Sequence, residues 1–503
     1  MRKMFALAAL ALSVIPLAST QAAWNVATSP HFVIYSEQDP PALRAYAEKL
    51  ERFDGAMRAI SPPPADHPPV ARVTIYVMPD AASLHDLVGR RDIQGIYRGD
   101  MTRVYAFTIG ASPKAKKDDA ADALTVLLHE YAHHFMRGNF AASYPPWFTE
   151  GYAEFMSAAR FEANGNVSLG VPENNRGTEL QELWLIPLQD MMAGAYYVSA
   201  DLEAKGWVLT HYLTFEPSRA GQLPAFLDAM IRGEPPMAAA QRIFGDLRTL
   251  DRELAAYVKR PKLSYMTVAA ARIAPEPITI SSLSPTESAL MPARMKTTYG
   301  VDKPGAKRIA GDIRHVLAQH PDDLDALCLL ARAEYWTGRN DAIEAAADQM
   351  LAHDPSLECG NLFKGYALLQ RAREAKLPVD DKTWGEARRA LSRANRAAPE
   401  DPWPMGLFYY SFLWAHAKPT ANAVEALFGA LDRAPNDRGL RYRAVIEMLR
   451  AGRADAAHTL AAPLVGEALG KAYRLDEARK LYDRIGHDDP ATVADALEAK
   501  LKD

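Results

Sequence analysis

Cysteine is almost missing from this chain: Cys328 and Cys359 are the only two among 503 residues. That scarcity excludes a disulfide-built scaffold and the cysteine-rich, four-ligand zinc sites that serve structure alone. An excess of one charge is missing too. Lys and Arg number 58 against 62 Asp and Glu, for a net charge of -4. No basic field is therefore available for nucleic acid or for an anionic membrane surface. Beyond the first residues no apolar run reaches the roughly 18 residues of a membrane-crossing helix, so no span is expected in the mature chain. What is present is ordinary for globular protein, 49% hydrophobic and 24% charged residues. The length predicts two or more domains.

The one conspicuous apolar run lies at the start. Arg2 and Lys3 precede the stretch Met4 to Pro16, and Ser19-Thr20-Gln21-Ala22-Ala23 follows with small residues. This is the pattern of a signal peptide over 1–23, cleaved after Ala22 or Ala23. It predicts a periplasmic or secreted protein, with an uncleaved anchor as the alternative.

The chemistry concentrates in Leu127-Leu128-His129-Glu130-Tyr131-Ala132-His133-His134-Phe135. Read as a helix, it sets His129 and His133 one turn apart on one face, where two imidazoles can share a Zn²⁺ ion. Glu130 lies about 100° round from His129, within reach of water on that metal, so it can act as general base. His134 points off the ligand face and reads as a wall residue more than a ligand. A catalytic zinc needs a third protein ligand. The segment Pro146-Trp147-Phe148-Thr149-Glu150-Gly151-Tyr152-Ala153-Glu154 offers Glu150 from a second helix, with Glu154 one turn further on.

In these two motifs, H-E-x-x-H followed by W-x-x-E-G-x-A, the chain resembles the gluzincins, the thermolysin and aminopeptidase N clan. The resemblance implies His129, His133 and Glu150 as zinc ligands and Glu130 as the base that activates the zinc-bound water. It implies Glu154 as a carboxylate that hydrogen-bonds a ligating histidine, with a ligand role as the alternative. The 16 residues between His133 and Glu150 are slightly fewer than the clan usually has. Gluzincins also use a downstream Tyr or His to stabilise the oxyanion. Tyr197 is the first candidate here, then Tyr196, with His211 as runner-up; packing tyrosines at a helix start are the alternative. The order of helices downstream resembles small bacterial domains called peptidase-MA-like. The likeness runs loosely from His31 to Lys262 and strongly only over 129–155.

The remaining pattern predicts an α+β catalytic domain at 24–262, with a small twisted sheet and zinc-binding helices. Strands are expected at His31–Ser36, Ala71–Val77, Gly95–Asp100 and Val104–Thr108, and a helix over Pro40 to Ile60. In the gluzincins an edge strand pairs with the substrate backbone. That role falls on Arg103 to Thr108, with a purely structural strand as the alternative. Residues 263–306 read as a linker or connecting subdomain. From 307 to 490 the texture becomes all-α, and Pro321, Pro355, Pro399 and Pro435 recur at near-tetratricopeptide spacing. The longer middle gap is explained by an insertion near Ala375–Asp381. Four or five tetratricopeptide (TPR)-like helix pairs are expected, then a C-terminal tail over 491–503. Cys328 and Cys359 fall on first helices of neighbouring repeats and are expected as two buried free thiols, although an oxidising compartment would let them pair.

Two functions follow. One is an exported zinc metallopeptidase that hydrolyses peptide bonds in a peptide or protein substrate, its repeats binding substrate or a protein partner. The other is a periplasmic TPR adaptor or assembly factor that retains a zinc site with little general protease activity. The absence of an aminopeptidase-like Gly-x-Met-Glu-Asn stretch tilts the first toward an endopeptidase or a narrow substrate.

Overall fold

The computed structural model describes residues 24–64, 70–110, 117–140, 144–172, 186–193, 199–466, 480 and 482–501. The signal segment 1–23 lies outside them. The first half of the chain is α+β and the second half is a helical array. None of the described helices is long and apolar enough to cross a membrane.

The strands are β1 (Asn25–Thr28), β2 (Phe32–Ser36), β3 (Val73–Met78), β4 (Gly95–Asp100), β5 (Arg103–Ile109), β6 (Arg160–Phe161), β7 (Val167–Leu169), β8 (Met266–Val268) and β9 (Thr279–Ser282). Six of them form one mixed sheet in the order β4-β5-β3-β2-β1-β9, and the other three a small sheet β6-β7-β8. Strands β2, β3 and β5 run parallel, β4 and β1 flank them antiparallel, and β9 pairs antiparallel with β1. Alternation along the strands gives the large sheet two apolar faces. Phe32, Ile34, Val73, Ile75 and Ala106 face the main core. Tyr76, Met78, Tyr105, Phe107 and Ile109 face the opposite side.

Helices α1 (Pro40–Ile60), α2 (Ala81–Val88), α3 (Lys117–Asn139), α4 (Pro146–Ser157), α5 (Leu188–Ala193), α6 (Ser199–Phe215), α7 (Gln222–Ile231), α8 (Pro236–Phe244), α9 (Leu247–Tyr257) and α10 (Pro285–Tyr299) complete this half. Helix α1 has the bounds that its stripe predicts. Asp39 caps it by accepting from the Ala42 N–H at 2.8 Å, and Pro40 supplies the fixed φ of a first turn. Helices α1 and α3 pack on the main-core face, and α2 and α10 on the other.

Three expectations change here. Strand β5 is paired on both sides, to β3 and to β4, so Arg103–Thr108 has no open backbone edge; the edge is β4. The segment 263–306 is wound into the fold: β9 extends the large sheet, β8 joins the small one, and α10 covers the second face. The stretch expected as a tail is largely helical. Asp489 caps it, Pro490 starts it, and Val493, Ala494 and Leu497 bury one stripe.

The array contains α11 (Lys303–Leu317), α12 (Leu324–Thr337), α13 (Asn340–His353), α14 (Glu358–Glu374), α15 (Lys382–Ala397), α16 (Pro402–Trp414), α17 (Ala421–Arg433), α18 (Arg438–Arg450), α19 (Ala454–Gly466) and α20 (Pro490–Lys500). From α11 to α19 each helix packs on the next, and α20 returns against α18. The recurring prolines precede α12, α14, α16 and α18. Asp323, Asp401 and Asp437 each cap the helix that follows two residues after its proline. The longer middle spacing goes into longer helices α14 and α15 and the connection 375–381.

Cys328 on α12 and Cys359 on α14 form a disulfide, in place of two free thiols. The α12–α13 turn brings their Cα atoms to 6.0 Å although they lie 31 apart in sequence. Replacing both with serine should lower stability by about 3 kcal/mol, from the loop the bond closes in the unfolded chain. Urea unfolding of the variant against the oxidised parent measures this; equal midpoints would deny the bond.

Candidate metal centre

Helix α3 buries Leu127, Leu128, Tyr131, Ala132, Phe135 and Met136 in the main core. That leaves the next strip of the helix for His129 and His133, whose ring centroids are 4.7 Å apart. Helix α4 starts at Pro146 and is buried along most of its length, with Trp147 fully enclosed. Its docking on α3 carries Glu150 to both imidazoles. Glu150 Oε2 lies 3.4 Å from His129 Nε2 and 3.3 Å from His133 Nε2, and the two Nε2 atoms are 3.0 Å apart.

This triangle fits a tetrahedral metal. Donors at about 2.0–2.2 Å from a central zinc are separated from one another by about 3.3–3.6 Å. The two edges to Glu150 have that spacing and the His129–His133 edge, at 3.0 Å, is shorter; each of the three atoms can present a lone pair inward to a cation. The three residues form one of two such groups among the described residues, and three protein ligands leave a tetrahedral position open. Glu154, one turn beyond Glu150, puts Oε1 3.0 Å from His129 Nδ1. It thereby favours the proton on Nδ1 and leaves Nε2 for the metal.

Electrostatics also favour positive charge here. Burial alone would lower the His129 pKa, but Glu150 and Glu154 raise it to about 10. Burial raises the Glu150 carboxyl, and the two histidines override it and hold it well below the usual range. Burial dominates at His133 and lowers its pKa, against the pull of Glu150. Glu130 is half-buried on the same helix.

The second acidic group, His31 with Glu51 and Asp54, already has its partners. His31 Nδ1 is 2.7 Å from Glu51, Arg58 Nε is 2.5 Å from Asp54, and the Tyr131 hydroxyl donates to Asp54 at 2.8 Å. It ties α1 to the zinc-helix candidate rather than offering open ligands.

Tyr196 and Tyr197 lie outside the described residues. His211, the runner-up oxyanion donor, has both ring nitrogens engaged within the core. It is fully buried, with Nδ1 2.8 Å from the Tyr257 hydroxyl and Nε2 3.1 Å from the Gly170 carbonyl oxygen. Burial lowers its pKa to about 4, so it is neutral: Nε2 donates to Gly170 and Nδ1 accepts from Tyr257.

The sequence marks His134 as a wall residue but does not reveal its partners. His134 is buried, and burial lowers its pKa to about 3. Its Nδ1 shares a hydrogen bond of 2.7 Å with the Tyr97 hydroxyl, whose oxygen accepts from Asn436 Nδ2 at 3.0 Å. Asp437 beside it caps α18 and also accepts from the Met101 N–H at 2.8 Å. The β4–β5 hairpin thus joins the residue after His133 to the helical array. Tyr97→Phe should leave metal binding intact and cost about 1–3 kcal/mol, because it strands buried polar atoms on both sides. Chemical unfolding against metal stoichiometry separates the two effects.

No protein-family model matches the chain, and a comparison with curated proteins also returned no match.

Proposed function

We propose that the chain is an exported zinc metallopeptidase of the gluzincin type. The observation that carries this reading is the convergence of His129, His133 and Glu150, with their ligand atoms within 4.8 Å of one another and a carboxylate, Glu130, next to His129. Bound there, Zn²⁺ would supply Lewis acidity and acidify a water. The chain's own groups do the rest. His129, His133 and Glu150 hold the ion, and Glu154 holds His129 in the tautomer that ligates. Glu130 takes the proton from the attacking water and passes it to the leaving amine. An extended substrate adds to the outer side of β4, which is the sheet edge next to α3.

Export is supported by the signal-like first residues and by the Cys328–Cys359 bond, which belongs to an oxidising compartment. The array is proposed as TPR-like, a surface for substrate or for a protein partner. The test is metal content of the purified chain by mass, with mapping of new N-termini released from a periplasmic extract. One zinc per chain together with cleavage products supports the reading. One zinc with no products from the extract or from a broad peptide library favours the adaptor instead.

A further inference from the structure

We propose that a cavity on the far side of the sheet from the metal centre binds a small organic oxyanion, a carboxylate or a phosphate ester, between Arg294 and Arg332. The cavity measures about 330 Å³. Its floor is the face of β2, β3 and β5 that carries Tyr35, Tyr76 and Tyr105; α10 supplies Arg294, and α12 supplies Arg332. The start of α16 closes it with Asp401.

The two arginines are the observation that points to a ligand. Both line the cavity and are half-buried; burial lowers the pKa of Arg332, whereas at Arg294 burial is outweighed by the neighbouring tyrosines and Asp325, which raise it. Yet among the described residues neither guanidinium has a hydrogen-bond acceptor or a carboxylate within ion-pair distance. Arg294 lies over the Tyr35 ring at 5.8 Å, and Arg332 over Trp403 at 5.8 Å and Phe363 at 6.0 Å. Asp325 and Asp401 act on them only from longer range. The other arginines of the same cavity are matched. Arg72 is 3.1 Å from Glu400, and Arg103 donates to the Thr298 carbonyl at 2.7 Å. Two half-buried guanidinium groups around one cavity, neither taken up by a protein acceptor, offer ten N–H donors to whatever enters. Burial raises Asp401 to about 6 and Glu358 beside it to about 8, so near neutral pH the two carboxyls carry about one negative charge and offset only one of the two guanidinium groups.

The ligand's chemistry follows from the walls. A planar guanidinium fork matches carboxylate and phosphate oxygens. The volume sits at the lower end of organic-ligand pockets, far above one water. Tyr35 and Tyr76 stack at 5.3 Å and present an aromatic surface for a flat body. The site is held in shape, because Cys328 lines the cavity and its disulfide ties α12 to α14 behind Arg332. Arg294 belongs to the α+β half and Arg332 to the array, so an oxyanion held by both would fasten one to the other.

Titration calorimetry on the full chain with phenyl phosphate, succinate and inorganic phosphate tests this. At least one probe should bind the parent. Arg294→Met and Arg332→Met should each weaken it about tenfold or more, with Arg332→Lys between. His133→Ala should bind the probe as the parent does, which separates this site from anions drawn to the metal centre. Phenyl phosphate alone binding would assign a phosphate ester, and succinate alone a carboxylate. Absence of binding by the parent to all three would overturn the proposal. So would binding that survives in both methionine variants, or binding lost in His133→Ala and kept in them.

Discussion

Glu130→Gln should leave one zinc bound and reduce peptide hydrolysis by at least about 10²–10⁴-fold, the usual contribution of a positioned general base. The argument rests on which atoms the substitution touches. The converging candidate ligand atoms belong to His129, His133 and Glu150, and Glu130 contributes none of them. Gln is close to Glu in shape and neutral, so the helix and its neighbours have no reason to move. What is lost is the carboxylate that accepts the water's proton. His133→Ala gives the contrasting outcome, because it removes one corner of the triangle and should take metal and activity together. Turnover of a cleaved peptide, read beside zinc per chain, distinguishes the two variants. Hydrolysis that persists in Glu130→Gln would remove Glu130 from the mechanism, and loss of zinc in it would place the carboxylate on the metal.

The candidate centre was legible in the sequence because a helix converts spacing directly into geometry. His129 and His133 share a face by period alone, and Glu154 meets His129 Nδ1 because it lies one turn from Glu150. The array was legible for a related reason: a proline marks four of its junctions locally, and a capping aspartate three of them. What was not legible depends on contacts between distant segments. Strand β5 is apolar and buried, whereas β4 carries Gly95, Arg98, Gly99 and Asp100 and buries no residue fully. That contrast is the signature of centre against edge, and it outranks the order along the chain. Strand β9 is strand-like in sequence only at Ile278-Thr279-Ile280; it is mostly exposed, and its place in the sheet comes from backbone pairing with the distant β1. The Cys328–Cys359 bond depends on how α12 and α14 stack, and His211 on the core that closes around it. No local pattern carries either one.

Gly151→Ala should destabilise the protein and weaken zinc binding, opposite to the effect of the same change on an open helix surface. In a helix interior Ala is favoured over Gly by about 1 kcal/mol. At the crossing of α4 and α6 that preference is outweighed. A Cβ on Gly151 would lie 2.3 Å from the backbone carbon and oxygen of Gly206, and a Cβ on Gly206 would lie 2.2 Å from the Trp147 carbonyl oxygen. These are main-chain atoms and cannot rotate away, so the helices must separate. Overpacking of this kind costs about 1–3 kcal/mol. The shift also reaches the metal centre, because Glu150 immediately precedes Gly151 and holds Oε2 3.3–3.4 Å from both imidazoles. Gly206→Ala should act in the same direction although it lies on a different helix and supplies no ligand. Gly311→Ala on α11 is the reference: nothing lies within 4 Å of its added Cβ, so it should be neutral or stabilising. Urea midpoints and zinc affinities for the three variants decide the matter. If Gly151→Ala and Gly206→Ala gain stability as Gly311→Ala does, the two helices do not cross at their glycines. If both lose stability while zinc affinity is unchanged, Glu150 is placed independently of that crossing.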